Sequence, residues 1–197
     1  MHEQNLKNRL SAALHKNTKA HLLFDYMKTH GDEQYEEEVT QLEHALQAAY
    51  LAKKAGKSPE LITAALFHDI GHILADDPEE ANNPTLKNDL HEDIAADYFR
   101  GLFPAAVLDP IRLHVEAKRY LCTVKAGYYE KLSVASQKSY HLQGGKMTDK
   151  EIAVFEGHEH YKDAVLLRAW DDLAKDLTKE VPAIETYEEE VVAALIK

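Results

Sequence analysis

Cysteine is nearly missing from this 197-residue chain: Cys122 stands alone. One thiol excludes an internal disulfide framework and fits a reducing compartment. It also excludes a structural zinc knot, whose thiolates come in clusters. Flanked by RYL and TV, Cys122 reads as a small core hydrophobe. Long apolar runs are lacking too. No stretch is long enough to span a bilayer, and the N-terminus lacks the basic-then-apolar order of a signal peptide. A soluble, cytoplasmic protein without a membrane partner is expected. Positive charge is in deficit, with 23 Lys+Arg against 34 Asp+Glu and a net charge of -11. Neutralising a phosphate backbone takes clustered cations, so no nucleic-acid partner is expected, although a few local cations can still hold a small anion. Strand-type alternation is scarce.

What the chain does have is helical periodicity. VTQLEHALQAAYLAKKAG and SPELITAALFHDIGHILA repeat apolar residues at three- and four-residue intervals. Gly56 reads as a stop and Ser58-Pro59 as an N-cap with Pro at the first helical position, which separates these two helices. Pro78 and Pro84, amid Asp and Asn, mark a loop leading to a helix that carries His91. Gly101 to Pro104 and Asp109-Pro110 punctuate the next turn and start the helix of His114 and Lys118. In residues 123–147 the two glycines after Gln143 suggest a loop folded close to something. Thr148 and Glu151 form a capping box opening DKEIAVFEGH, residues 163–175 form a helix, and YEEEVVAALI reads as peripheral. The expected fold is an all-α helical bundle: a single domain over 1–197, its core at roughly 31–175, flanked by peripheral N- and C-terminal helices. A monomer is expected.

Four histidines and two aspartates stand out in this pattern: His44, the His68-Asp69 pair, His91, His114 and Asp171. A lone His-Asp dipeptide is most often a hydrogen-bonded surface pair. Here apolar LITAALF precedes it, so the pair arrives on the inner face of a buried helix, where unsatisfied polar groups are costly. On a continuous helix His68 and Asp69 could reach one metal from the side, with His72 one turn above His68. Imidazoles and carboxylates without thiolates suit Fe, Mn, Mg or Zn in a hydrolytic or oxidative centre, and the six residues together read as a two-metal site.

HDIGH, the upstream His of QLEHALQAA and the downstream ligands resemble the HD-domain superfamily of metal-dependent phosphohydrolases. QLEHALQAA, HDIGH, HVEAKRYL, SxxSxKSYxxQGG and LRAWD, in that order, further resemble the HD-domain mixed-valent diiron oxygenases that cleave the carbon-phosphorus bond of 1-hydroxyalkylphosphonates. The resemblance implies a dinuclear iron site in the Fe(II)/Fe(III) state with O2 as co-substrate. One ion would be held by His44, His68, Asp69 and Asp171, the other by His91, His114 and the shared Asp69. It implies a small (R)-1-hydroxy-2-aminoethylphosphonate, or its N-trimethylated analogue, as the substrate, giving phosphate and glycine or glycine betaine. Lys118, one turn after His114, would meet the phosphonate, and with His72 would serve the metal centre in catalysis. Ser136, Gln143 and Arg168 match positions around the phosphonate, and Arg168, three residues before Asp171, could equally pair with that ligand. For the amine, Glu37 lies seven residues before His44, two turns earlier on the same face if the helix starts there, with Tyr35 as its aromatic neighbour.

Two other readings compete. An HD phosphohydrolase would use the same ligands around a bridging hydroxide to attack a nucleotide or other phosphate ester. A non-catalytic sensor on a retained HD fold requires a missing ligand, and all six positions are filled.

Overall fold

The computed structural model describes residues 5–34, 38–76 and 90–196. Among them the protein is all-helical, apart from isolated bridges pairing Gln34 with Thr40 and Arg100 with Phe103. The helices are α1 (Leu6–Ala12), α2 (Lys16–His30), α3 (Gln41–Lys54), α4 (Pro59–Phe67), α5 (Ile70–Asp76), α6 (His91–Tyr98), α7 (Ala105–Val124), α8 (Val134–Leu142), α9 (Asp149–Glu156), α10 (Tyr161–Leu173) and α11 (Glu188–Ala194). No helix among the described residues is long and apolar enough to cross a membrane.

The bundle is built round α4. Every residue from Leu61 to Phe67 is buried, and a helix apolar on all sides belongs in the interior. It packs against α3, α7, α10 and α11. Ser58 starts it by accepting the Leu61 N–H at 3.3 Å, with Pro59 at the first position, where its missing N–H costs nothing. The capping box of Thr148 and Glu151 opens α9 as its spacing predicts.

Several boundaries differ from the sequence reading. The terminal helices are not peripheral: Leu23, Phe24 and Met27 of α2 and Val191 and Ala194 of α11 lie in the same core cluster as α4. Val191 and Ala194 of YEEEVVAALI form an apolar stripe that needs a partner, and α4 supplies it. Helix α7 begins at Ala105, not at Pro110, which sits inside its second turn and only removes one helical N–H donor. Residues 134–142, unassigned from the sequence, form α8. The loop with Pro78 and Pro84 lies outside the described residues.

Candidate metal centre

Five stretches of the bundle each bring donors to one place. His44 comes from α3, His91 is the first residue of α6, His114 lies mid-way along α7 and Asp171 near the end of α10. His68 and Asp69 occupy a two-residue break between α4 and α5, not the continuous helix that the sequence suggested. His68 keeps right-handed helical angles, and α5 resumes with the His72 N–H donating to the Asp69 carbonyl at 3.0 Å. The break frees Asp69 from helical phase, so its carboxylate reaches two histidine pairs at once.

Asp69 Oδ2 lies 3.4 Å from both His44 Nε2 and His68 Nε2, while Oδ1 lies 3.5 Å from both His91 Nε2 and His114 Nε2. Asp171 Oδ1 joins the first set at 3.4 Å from His44 Nε2. Within each pair the Nε2 atoms are only 3.2 Å apart. Three of the rings are fixed through Nδ1: His44 donates to the Ala174 carbonyl at 2.9 Å, His68 to that of Ala65 at 2.9 Å and His114 to that of Ile111 at 2.7 Å. With Nδ1 carrying the proton, each of these Nε2 atoms presents a lone pair. Lone pairs facing each other at this distance repel unless a cation lies between them. The spacing is also near that of neighbouring donors round a six-coordinate ion, about 3 Å for bonds of about 2.1 Å. The donor set therefore fits two metal ions sharing Asp69.

The electrostatics agree. Burial opposes ionisation of Asp69, but His68, His44, His91 and His114 outweigh it and hold the carboxyl well below its usual range. Asp171 is likewise held low against its burial, by Arg168, His44 and His68. Burial pushes His114 down to about 4 and His91 well below its usual value. His44, buried yet facing Asp171 and Asp69, is raised to about 10, so without a metal a proton takes the cation's place there.

Both donor sets open into a cavity of about 490 Å³. Its floor is Asp69, Asp171, His91 and His114, and His72 lines it with its ring stacked on His91 at 4.0 Å. Part of its lining is cationic. Lys118 is 3% exposed and donates to Ser139 Oγ at 2.6 Å. Burial, with the neighbouring Arg168 and Lys175 cations, lowers its ammonium to about 8 against the pull of Asp171 and Asp172. Arg168 donates from Nη1 to Asp171 Oδ2 at 2.7 Å, and from Nη2 to Asp172 and, at 3.3 Å, to Ser136 Oγ. The salt bridge to Asp171 is thus present, and Arg168 lines the cavity as well. Ser136 is buried, and the Gln143 side-chain carbonyl oxygen is buried at the cavity without a protein partner. Tyr35 and Glu37 lie outside the described residues. The helical-phase argument for Glu37 does not hold, because α3 starts only at Gln41, capped by Thr40 with Glu43.

Four further residues support the site without having been read from the sequence. A Cβ on Gly71 would lie 1.9 Å from the His91 carbonyl oxygen, so only glycine lets α5 pass this close to the start of α6. Gln47 is buried and clamps Asp176, accepting its N–H at 3.1 Å and donating to its carbonyl at 3.0 Å. Lys175 lines the cavity and donates to Ser136 Oγ at 3.3 Å. Ser139 receives Lys118. The spacing held one clue: Gln47 lies three residues after His44 on α3.

The HD-domain profile matches residues 42–176, and the chain belongs to the HD-domain family. Within it the chain falls with the phosphonate-degrading oxygenase group, as its motifs suggested. It is 53% identical, over 88% of its own length and 86% of the relative's, to the hydroxymethylphosphonate dioxygenase of Gimesia maris. Identity is 40%, over 77% and 78%, to the glycine-betaine-forming [1-hydroxy-2-(trimethylamino)ethyl]phosphonate dioxygenase of Leisingera caerulea. An uncharacterised protein of Acanthamoeba polyphaga mimivirus is 36% identical over 82% and 74%.

Proposed function

We propose that this protein is an iron-dependent oxygenase that cleaves the carbon-phosphorus bond of a small 1-hydroxyalkylphosphonate. The observation that carries the reading is one cavity with a shared-carboxylate, two-metal donor set on its floor and a buried lysine on its wall. A phosphonate dianion fits between them. The relatives' activities support the reaction class. His44, His68, Asp69 and Asp171 would hold one ion and His91, His114 and Asp69 the other, and a redox-active iron pair held there would pass electrons from the substrate to O2.

The chain's own residues do the rest. Lys118 balances the phosphonate charge, and Ser136 and Gln143 offer polar groups to its oxygens. Arg168 holds Asp171 in place while touching Ser136, which links substrate wall to metal floor. His72, stacked on His91, fixes that ring and lines the path to C1. One O2 per substrate takes C1 from alcohol to carboxylate as phosphate leaves, with one proton released. The higher identity to the hydroxymethylphosphonate enzyme favours that substrate, giving formate, ahead of the 2-amino and N-trimethyl analogues that the motifs suggested. We take the enzyme to be a single-domain cytoplasmic monomer.

The test is phosphate release from iron-loaded, anaerobically prepared protein on adding O2. Hydroxymethylphosphonate, (R)-1-hydroxy-2-aminoethylphosphonate and its N-trimethyl analogue would be compared with a panel of phosphate esters. Release that tracks O2 uptake one to one, with the spectrum of a coupled Fe(II)/Fe(III) pair, is expected. Ester hydrolysis that proceeds without O2 would establish the phosphohydrolase instead.

A further inference from the structure

Arg168 is buried and divides its guanidinium between two carboxylates of its own helix. Nη1 donates to Asp171 Oδ2 at 2.7 Å, and Nη2 donates to Asp172 Oδ1 one residue further on. Asp171 turns its other oxygen, Oδ1, toward His44 Nε2 at 3.4 Å, in the donor set of the first ion. Asp172 uses its second oxygen as well: Oδ2 accepts from the hydroxyl of Tyr128. One line of polar contacts thus runs from a phenol through a carboxylate, a guanidinium and a second carboxylate to the metal floor.

Tyr128 comes from the turn that follows α7. Residues 124–127 are exposed, and Gly127, at a φ of 73°, turns the chain so that Tyr128 is half-buried and reaches α10. Burial and the charge of Asp172 push its phenol above the usual range, so it keeps its proton and acts as the donor. Neither Tyr128 nor Asp172 lines the cavity.

The sign of each effect on the metal follows from charge. A guanidinium bound to a ligand carboxylate draws electron density from it and weakens its donation. Asp172 competes for the same cation and sets a negative charge on its far side, which restores that donation. The Tyr128 hydroxyl, by partly satisfying Asp172, holds the competition in check. We propose that Asp172 and Tyr128 are positioning residues of the metal centre, acting through Arg168 to set how strongly Asp171 donates to the ion of the His44 set. This rests on the two-metal reading of the site and is independent of the reaction carried out there.

Zn(II) is the probe, because imidazoles and carboxylates suit it and it has no redox chemistry. The overall two-ion binding constant of chelator-stripped, full-length protein is measured by competition with a coloured chelator. Wild type, Asp172→Asn, Tyr128→Phe and the double variant are compared at one pH. Asp172→Asn, which removes the competing charge at nearly constant shape, should weaken binding about tenfold, the lower end of what outer-sphere partners contribute. Tyr128→Phe should tighten it about two- to fivefold, the worth of one hydrogen bond. The double variant should match Asp172→Asn within about twofold, since the phenol acts only through Asp172. A merely structural tyrosine predicts the opposite sign, and losses that add. A Tyr128→Phe chain that does not fold, or that binds Zn(II) no more tightly than wild type, overturns the proposal, as does an Asp172→Asn affinity equal to wild type. A wild type that binds fewer than two Zn(II) overturns the two-metal reading itself and the proposal with it.

Discussion

Asp69 gives one carboxylate oxygen to each histidine pair, so its loss differs in kind from the loss of any single imidazole. Asp69→Ala is expected to drop bound iron from two per chain to below one. Activity should fall by more than the ~10- to 100-fold typical of losing an outer-sphere partner. Two irons retained by that variant would refute the shared position. Lys118 makes a second residue-scale prediction, about pH. Its ammonium is lowered to about 8, chiefly by burial, and only the charged form grips a phosphonate. The kcat/KM of the free enzyme should therefore hold steady up to about pH 8 and decline above it, about tenfold per unit. Lys118→Arg, charged throughout, should push that decline out of the measurable range with iron content unchanged. A decline that persists at the same pH in this variant would assign it to another group.

At the scale of elements, the approach of α5 to α6 is set by Gly71. A methyl group there would meet backbone, 1.9 Å from the His91 carbonyl oxygen and 2.7 Å from its carbon, and backbone cannot rotate away. Gly71→Ala should therefore displace the start of α6 and cost about 1–3 kcal/mol, as overpacking does. Because His91 is the first residue of α6, the ion of the His91 and His114 set should be lost first. Iron content near one per chain, with the His44 set still occupied, is the expected result. Equal loss from both sets would mean that Gly71 supports the fold and not this ligand. The glycine itself is legible in HDIGH, but its reason is not, since the group it makes room for is 20 residues away in the chain. The same holds for Gln47, whose partner Asp176 is distant in sequence. Local chemistry, by contrast, can be read: Ser58-Pro59 and the Thr148 capping box mark helix starts where they were expected. Thr40 and Glu43 offer the same capping signal, and applying it places the start of α3 at Gln41. Helix α8 buries only Ser136 and Tyr140, so no apolar stripe announces it. The donors themselves are visible as residue types, whereas the break that turns Asp69 toward both pairs is a product of packing.

Across the whole molecule, α3, α6, α7, α10 and the α4–α5 break meet at a cluster of buried carboxylates and imidazoles instead of at apolar side chains. Folding must bring these groups out of water and set two Nε2 atoms 3.2 Å apart in each pair, an approach that needs a metal ion or a proton between them. Metal binding should thus be coupled to stability. An ion present at about a hundred times its Kd adds about 2.7 kcal/mol, and a domain of this size gains about 2–4 °C per kcal/mol. Stripping both ions should then lower Tm by roughly 10–20 °C, measurable by calorimetry before and after chelation. The coupling has a pH sign. With His44 raised to about 10 in the metal-free protein, metal entering its set at neutral pH must displace a proton. Apparent affinity should fall about tenfold for each unit by which pH is lowered below about 10. Dialysis against a fixed free-metal buffer at pH 6 and pH 8 should leave the acidic sample depleted first in the His44 set, with its Tm moved toward the chelated value. Equal retention at both pH values would mean that no proton occupies the position of the ion, and that the imidazoles face one another for some other reason.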